Sequence, residues 1–248
     1  MMASVLEAAV WGFVAAGSLL LGAAVAIVRP PGTRELGLIM GFGSGVLLSA
    51  VAFELVEEAV DTSGGLASAA IGLFAGAVTF TAGDVLISRL GYRHRKDIGG
   101  APTDAAALTI VLGAMLDGIP ESAVLGLTVL QTGDIGAAML VAVLVSNLPE
   151  GIAATVGLRN GGWSTAKVSG LWLAVALAAA ASAGAGYALL DGAPSDVLAF
   201  ILAFAGGAIL TMVSTSMSPE AYEHAGRSVG IVTVMGFATA FAVNWVAG

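Results

Sequence analysis

Only 10% of the 248 residues are charged and 58% are hydrophobic, and the mean hydropathy is +0.96. Because soluble globular domains carry about 25% charged residues, this composition indicates a polytopic membrane protein. The net charge of −8 does not suggest a nucleic-acid partner, and the lack of cysteine excludes disulfides and thiolate metal sites.

Apolar stretches of about 20 residues, the length that crosses a bilayer as an α-helix, occur eight times in the chain. They cover roughly 5–28, 36–55, 66–90, 105–130, 135–158, 168–190, 197–217 and 229–246. Since the connections are short, we predict an all-α membrane protein with a single domain over residues 1–248. The first span lacks the features of a signal peptide, so we expect it to be retained as a helix.

All nine basic residues fall in the connections that follow odd-numbered spans. They are Arg29, Arg34, Arg89, Arg93, Arg95, Lys96, Arg159, Lys167 and Arg227. The connections after even-numbered spans carry acids only: Glu57, Glu58, Asp61, Asp134, Asp191 and Asp196. By the positive-inside rule we predict a multi-pass protein of the plasma membrane with both termini outside the cytoplasm.

An internal repeat becomes visible when the second span is shifted by 162 residues. The shift places Phe42 on Phe204, Gly45 on Gly207, Leu48 on Leu210, Val51 on Val213, Glu58 on Glu220 and Ala59 on Ala221. Because these spans would cross the membrane in opposite directions, the pattern is typical of the inverted repeats of transporters. We predict repeats over about 5–90 and 168–246 around a central hairpin, 105–158, in a 3+2+3 bundle.

Glycines recur every four residues on two spans: Gly37, Gly41 and Gly45 on the second, and Gly72 and Gly76 on the third. The spacing fits helices that cross closely through small-residue faces. A chain with 35 glycines would also show it by chance. The sequence leaves both interpretations open.

The two spans of the central hairpin each contain a Pro-Glu pair in apolar surroundings. They read Leu116-Asp117-Gly118-Ile119-Pro120-Glu121-Ser122 and Val145-Ser146-Asn147-Leu148-Pro149-Glu150-Gly151. An acidic residue at the centre of a membrane helix costs about 3 kcal/mol on insertion scales, so a cation should offset these carboxylates. A shift of 29 residues superposes the two pairs, again on oppositely directed helices.

The spacing brings oxygen ligands together on each helix. Asp117 and Glu121 lie four residues apart and therefore share a face, as do Ser146 and Glu150, while Asn147 lies one turn from Glu150. The prolines should break the helices and free the carbonyls of the residues four positions before them. Irregular backbone at membrane depth is tolerated where it lines a cavity, so we predict an oxygen-rich cation site there.

These residues resemble the ZIP (zinc and iron regulated) metal transporters, whose fourth helix carries a His-Asn-x-Pro-Glu-Gly type motif and whose fifth carries a second Pro-Glu-Gly. Two further segments resemble the second and seventh helices of that family. They run from Gly41-Phe42-Gly43-Ser44-Gly45 to Glu57-Glu58-Ala59 and from Phe204-Ala205-Gly206-Gly207-Ala208 to Pro219-Glu220-Ala221. The resemblance covers essentially the whole chain. It implies a 3+2+3 bundle with a metal path between the fourth and fifth helices.

Carried over by position, the resemblance implies metal ligands at Asp117, Glu121, Ser146, Asn147 and Glu150. Asp117 stands where the family usually has its first histidine, and Ser146 where it has histidine or glutamine. Glycine replaces the family's asparagine at position 118, and the sixth span offers no carboxylate. The primary site is therefore expected in an all-oxygen form, and a second metal site is expected to be depleted.

The leading functional hypothesis is transport of a divalent metal cation, zinc first and iron or manganese after it. The metal would be the transported substrate, so we expect no separate cofactor, no catalytic residues and no enzyme activity. The expected partners are the metal ion and the lipid bilayer, and a homodimer is left open. One alternative is a carrier of small organic cations, although the site has few aromatic residues. An intramembrane hydrolase is disfavoured because its usual motifs are missing.

Several polar residues outside the hairpin allow two interpretations. Glu54 lies near a span end, where it could reach the membrane interface or line an ion path. Glu220, Glu223 and His224 could form an interfacial charge cluster or an exit site for the metal. The tryptophans are expected to be hydrogen-bonding residues and interface anchors: Trp11, Trp163, Trp172 and Trp245.

The charge pattern predicts the orientation of the chain. Single cysteines at Ser63 and Ser195 should react with an impermeant thiol reagent from outside, whereas cysteines at Thr33 and Thr103 should react only after permeabilisation. The native chain has no cysteine, so the labelling has no background. The reverse labelling pattern in intact cells would overturn the orientation.

Overall fold

Eight long helices make up the computed structural model, which describes residues 2–63, 65–89, 104–133, 135 and 137–247. They are α1 Met2–Val28, α2 Thr33–Ser63, α3 Leu66–Arg89, α4 Asp104–Thr132, α5 Ala137–Asn160, α6 Thr165–Leu190, α7 Ser195–Ala225 and α8 Ser228–Ala247. All eight contain a stretch long and apolar enough to cross a membrane, so the predicted all-α, multi-pass architecture is confirmed. Positions 91–103 and 134, with their predicted loop charges, lie outside the described residues.

Two helices extend well beyond their predicted ends. The apolar count ended the second span at residue 55 and assigned Glu57, Glu58 and Asp61 to a connection, but α2 continues as a helix to Ser63. Likewise, α7 continues past residue 217 to Ala225. Charged residues end an apolar run without ending a helix, because glutamate is itself a good helix former. The prediction of short second and seventh helices was therefore wrong.

Both of these long helices contain a π-helical turn, Val51–Val56 in α2 and Val213–Met217 in α7. In a π-helix the backbone hydrogen bonds run from residue i to i+5, which displaces the local carbonyls from the regular ladder. The two turns begin 162 positions apart. That distance equals the shift by which the sequence repeat superposes the two helices.

The prolines of the central hairpin do not break their helices. α4 runs as an α-helix through Pro120, and α5 does so through Pro149. A proline inside a helix removes one hydrogen bond from the ladder, and the neighbouring turns can continue. The expected break was therefore wrong, and the departures from α-helical geometry lie in α2 and α7 instead.

The helices pack in two groups of four. The most extensive contacts within the first group join α1 to α6, α1 to α5 and α4 to α6. Within the second group they join α3 to α7, α2 to α8 and α2 to α7. The first group has its own core around Trp172, whose indole Nε1 donates a hydrogen bond of 2.9 Å to the Thr155 hydroxyl. Trp172 is fully buried, so the expectation of an interface anchor was wrong there, whereas the expectation of a hydrogen bond is confirmed.

Four pairs of glycines lie where these helices cross. The pairs are Gly22 with Gly151, Gly126 with Gly186, Gly45 with Gly236, and Gly76 with Gly207. In every pair, each glycine faces the carbonyl oxygen of the residue three positions before the other glycine, so an added Cβ would collide with backbone. The glycine spacing on α2 and α3 thus marks close helix crossings, the first of the two interpretations.

The residue numbers of the crossing glycines are spaced regularly along the chain. The crossing glycines of α1 and α6 are 164 positions apart, those of α2 and α7 are 162 apart, and those of α3 and α8 are 160 apart. On the central pair, α4 and α5, they differ by 25. An inverted repeat would produce this pattern, because it would relate α1 to α6, α2 to α7, α3 to α8 and α4 to α5. The repeat itself stays a prediction, and the contacts add to the reasons for it.

Side-chain contacts identify the two ends of the bundle. At one end Gln131 donates to the Thr62 hydroxyl at 3.4 Å, and Ser68 donates to Asp196 at 3.2 Å. At the other end His224 packs against Gly37. The first end holds the acidic connections, which we predict to be extracytoplasmic.

Replacing a crossing glycine should destabilise the bundle. Gly45→Ala and Gly207→Ala place a methyl group against backbone of the facing helix, and such overpacking typically costs about 1–3 kcal/mol. We expect a clear drop in the thermal midpoint of the detergent-solubilised protein, followed by fluorescence-detected gel filtration. Gly170→Ala and Gly230→Ala are matched controls, because both positions are exposed helical glycines with open space around them. Equal midpoints in all four variants would refute close packing at the crossings.

Candidate metal site

The polar residues of the central hairpin are buried at mid-depth of their helices. Glu121 lies at the centre of the apolar span Leu112–Gln131, and Glu150 at the centre of Met139–Asn160. Only 1% of Glu121 and 8% of Glu150 is exposed. Ser146 and Asn147 are also buried. The Asp117 side chain lies outside the described part of the structure; its backbone is one turn before Glu121 on α4.

Helix α1 supplies a backbone partner for the site. The Asn147 amide nitrogen donates to the Ala15 carbonyl at 3.5 Å, and the Ser18 hydroxyl donates to the same oxygen at 2.6 Å. This contact holds the Asn147 side chain against α1. The Ser146 hydroxyl donates to the Val143 carbonyl of its own helix at 3.1 Å, which leaves the lone pairs of its oxygen to accept a cation. Ser18 was not predicted from the sequence, where its only signal is a hydroxyl within an apolar span.

A narrow cavity lies between α1, α4, α5 and α6. Asn147 and Ser122 supply its polar lining, and Ser122 was not predicted from the sequence to line a site. Gly118 of α4 also lines the cavity and has no side chain to fill it. The rest of the lining is apolar and includes Leu19 of α1 and Val175 of α6. All of the groups that line this cavity are neutral. The structure brings Ser122 and Asn147 together here.

The opposite side of α5 faces α2 and α8. A Cβ built on Gly43 of α2 would lie 3.4 Å from the Ser146 Cα and 3.5 Å from the Val145 carbonyl oxygen. That carbonyl is the one that Pro149 leaves without its helical donor. The terminal methyl of Met217, from the π turn of α7, packs at the same place. Gly43 therefore lets α2 approach the site closely.

Glu54 has a structural partner at the N-terminal end of α5. It lies in the π turn of α2, is half-buried, and its carboxylate accepts a hydrogen bond from the backbone N–H of Met139. Met139 is in the first turn of α5, where backbone N–H groups have no partner within the helix and the helix dipole favours an anion. Glu54 thus caps α5, which is neither of the two roles predicted from the sequence.

The charges at the other end of α7 form a looser group. Glu220 and His224 are half-buried, Glu223 is exposed, and the His224 Cβ packs against Gly37. Among the side chains that the structure describes, no three of histidine, aspartate and glutamate are grouped so as to hold a metal ion. This holds for the hairpin as well, where two of the three predicted carboxylates are described.

The electrostatic setting of the buried glutamates follows from where the basic residues are. Residues 105–158 contain no lysine, arginine or histidine. The basic residues on the described helices lie at helix ends, such as Arg34 at the start of α2 and Arg159 at the end of α5. The hairpin therefore supplies no basic side chain of its own.

Comparison with known proteins adds one relative. No family model matches the chain. It is 29% identical over 195 residues to the Arabidopsis thaliana protein named "Putative zinc transporter At3g08650", and the match covers 77% of this chain but 31% of that protein. The chain thus spans about a third of the length of this relative. It is an eight-helix membrane protein similar, over most of its own length, to a protein named for zinc transport.

Proposed function

We propose that this protein transports divalent metal cations, zinc foremost and manganese or ferrous iron as competitors, through a site between α4 and α5. The observation that carries the proposal is the burial of Glu121 and Glu150 at mid-membrane on a hairpin without basic residues. The name of the Arabidopsis relative supports metal transport independently.

The charge balance favours a divalent ion. Each buried carboxylate costs about 3 kcal/mol at the centre of a membrane helix on insertion scales, and two of them match the charge of one divalent cation. Asp117, if ionised, would add a third charge that one proton can neutralise. Metal and protons would then compete for the same oxygens, so metal binding should weaken as the pH falls.

The proposed ligands are oxygen atoms of moderate affinity. The carboxylates of Asp117, Glu121 and Glu150 would be joined by the Asn147 amide and the Ser146 hydroxyl. Carboxylate, amide and hydroxyl oxygens suit manganese and magnesium, whereas zinc and iron accept them alongside nitrogen. A transport site must also release its ion, which a few exchangeable ligands allow.

Uptake into proteoliposomes separates the proposal from its alternatives. Purified protein is reconstituted around a metal-sensitive dye, and zinc, manganese and a radiolabelled quaternary ammonium ion are offered in turn. A metal transporter moves the first two and leaves the third outside. Uptake of the organic cation without metal uptake would favour the carrier alternative.

Neutralising either buried glutamate should abolish transport. Glu121→Gln and Glu150→Gln keep the size of the side chain and remove a charge that the ion must meet, so we expect zinc uptake at the level of empty liposomes. Glu57→Gln is the control, because Glu57 is an exposed glutamate near the end of α2. Gel filtration verifies that each variant is folded. Normal uptake by the Glu150 variant would refute the hairpin site.

Metal preference should depend on Asp117. Imidazole favours zinc over harder ions, and the hairpin contains none. We expect Asp117→His to lower the ability of manganese to compete with zinc uptake, measured as the manganese concentration that halves the rate. Asp117→Asn is the control for loss of charge alone. Equal competition curves for the wild type and Asp117→His would show that Asp117 is not a metal ligand.

A further inference from the structure

Ser44 of α2 has an unusual environment for a membrane serine. It is fully buried, and its hydroxyl finds no hydrogen-bond partner among the residues that the structure describes. Many other helical hydroxyls donate to a carbonyl three or four positions earlier, among them Ser18, Ser146, Thr211, Ser214 and Thr239. A buried hydroxyl without a partner is unfavourable, so a ligand or water should satisfy it.

The contacts on either side of Ser44 show what it faces. Gly37 and Val51 lie seven residues away, two helical turns, and therefore on nearly the same face of α2. Gly37 packs against Ala221 of α7, and Val51 packs against Gly206 of α7. Ser44 therefore faces the stretch of α7 between these two residues, which contains the π turn Val213–Met217.

Two irregular backbone features and a predicted metal ligand lie at this level of the bundle. The π turn displaces backbone carbonyls of α7 from the regular ladder. Next to Ser44, Gly43 lies against the Val145 carbonyl, which lost its helical donor to Pro149. Ser146, a predicted metal ligand, is in the same contact. Polar backbone groups at membrane depth are tolerated where they line a water-filled cavity.

We infer that Ser44 lines a hydrated passage between α2 and α7 that leads to the hairpin site, and that its hydroxyl binds water or the passing cation. This inference rests on the proposed function. Hydroxyl and carbonyl oxygens are suitable partners for a partly hydrated divalent ion. The cavity lined by Ser122 and Asn147 lies on the other side of α5, toward α1 and α6. The passage is thus assigned to the side that holds the π turns.

Cysteine labelling tests the passage without reference to transport. Ser44→Cys introduces the sole thiol of the chain, and it should react with a cationic, membrane-impermeant methanethiosulfonate in reconstituted vesicles. Ser18→Cys is the matched control, because Ser18 is equally buried but its hydroxyl already donates to Ala15. We expect Ser44→Cys to react much faster. Equal rates would overturn the passage, even if metal uptake is normal.

Zinc separates a failure of this inference from a failure of the proposed function. A metal ion in the passage should slow the labelling of Ser44→Cys. Fast labelling that neither zinc nor manganese slows would support the hydrated passage and overturn metal transport through it.

A second pair of variants tests whether the hydroxyl itself is needed. Ser44→Thr keeps it and Ser44→Val has the same shape without it, so we expect zinc uptake about fivefold slower in the valine variant, the worth of one hydrogen bond. Equal uptake by the two would overturn the role of the hydroxyl.

Discussion

The fold depends on close approach of backbones at the four glycine crossings. Lipid chains are as apolar as leucine, so burial of apolar surface does not draw membrane helices together, and packing must do so. At each crossing a glycine faces a carbonyl oxygen in both directions, an arrangement that favours Cα–H···O contacts. Two crossings tie the candidate site in place, α5 to α1 at Gly151 and α4 to α6 at Gly126. Gly151 directly follows Glu150, so the position of that carboxylate is fixed by backbone contact.

The Pro-Glu pairs of the hairpin do not follow the symmetry that the crossing glycines suggest. The Pro-Glu pairs are 29 residues apart, whereas the crossing positions on α4 and α5 are 25 apart, a difference of about one helical turn. The shift of 25 residues that superposes the crossing glycines of α4 and α5 makes Ser146 the counterpart of Glu121. It makes Asn147 the counterpart of Ser122. Ser122 and Asn147 line one cavity together, as counterparts near an axis would. The counterpart of Glu150 is Leu125, which is fully buried, so the acidic groups do not follow the correspondence.

Hydropathy was sufficient to predict the number of helices, because each span must be apolar over the thickness of the bilayer. It misplaced the ends of α2 and α7, since an apolar count stops at charged residues such as Glu57 and a helix does not. The prolines drew attention to α4 and α5, yet the π turns lie in α2 and α7, where no residue type marks them. The burial of Glu121 and Glu150 follows from their apolar neighbours in sequence. The roles of Ser18, Ser44 and Glu54 depend on contacts between helices, which no local pattern contains.

Glu54 and the hairpin glutamates show two ways in which a carboxylate can be accommodated within a membrane bundle. Glu54 accepts a backbone N–H from the first turn of α5, where the helix has donors to spare. Glu121 and Glu150 lie at mid-helix, where the backbone N–H groups are already donated within the helix and where each is preceded by a proline that has none. The hairpin also lacks basic residues, so its own sequence places no fixed positive charge beside the two carboxylates. A buried carboxylate at mid-membrane, with no basic residue on its own segment, can exchange a proton for a cation, which is the property that the proposed transport site needs.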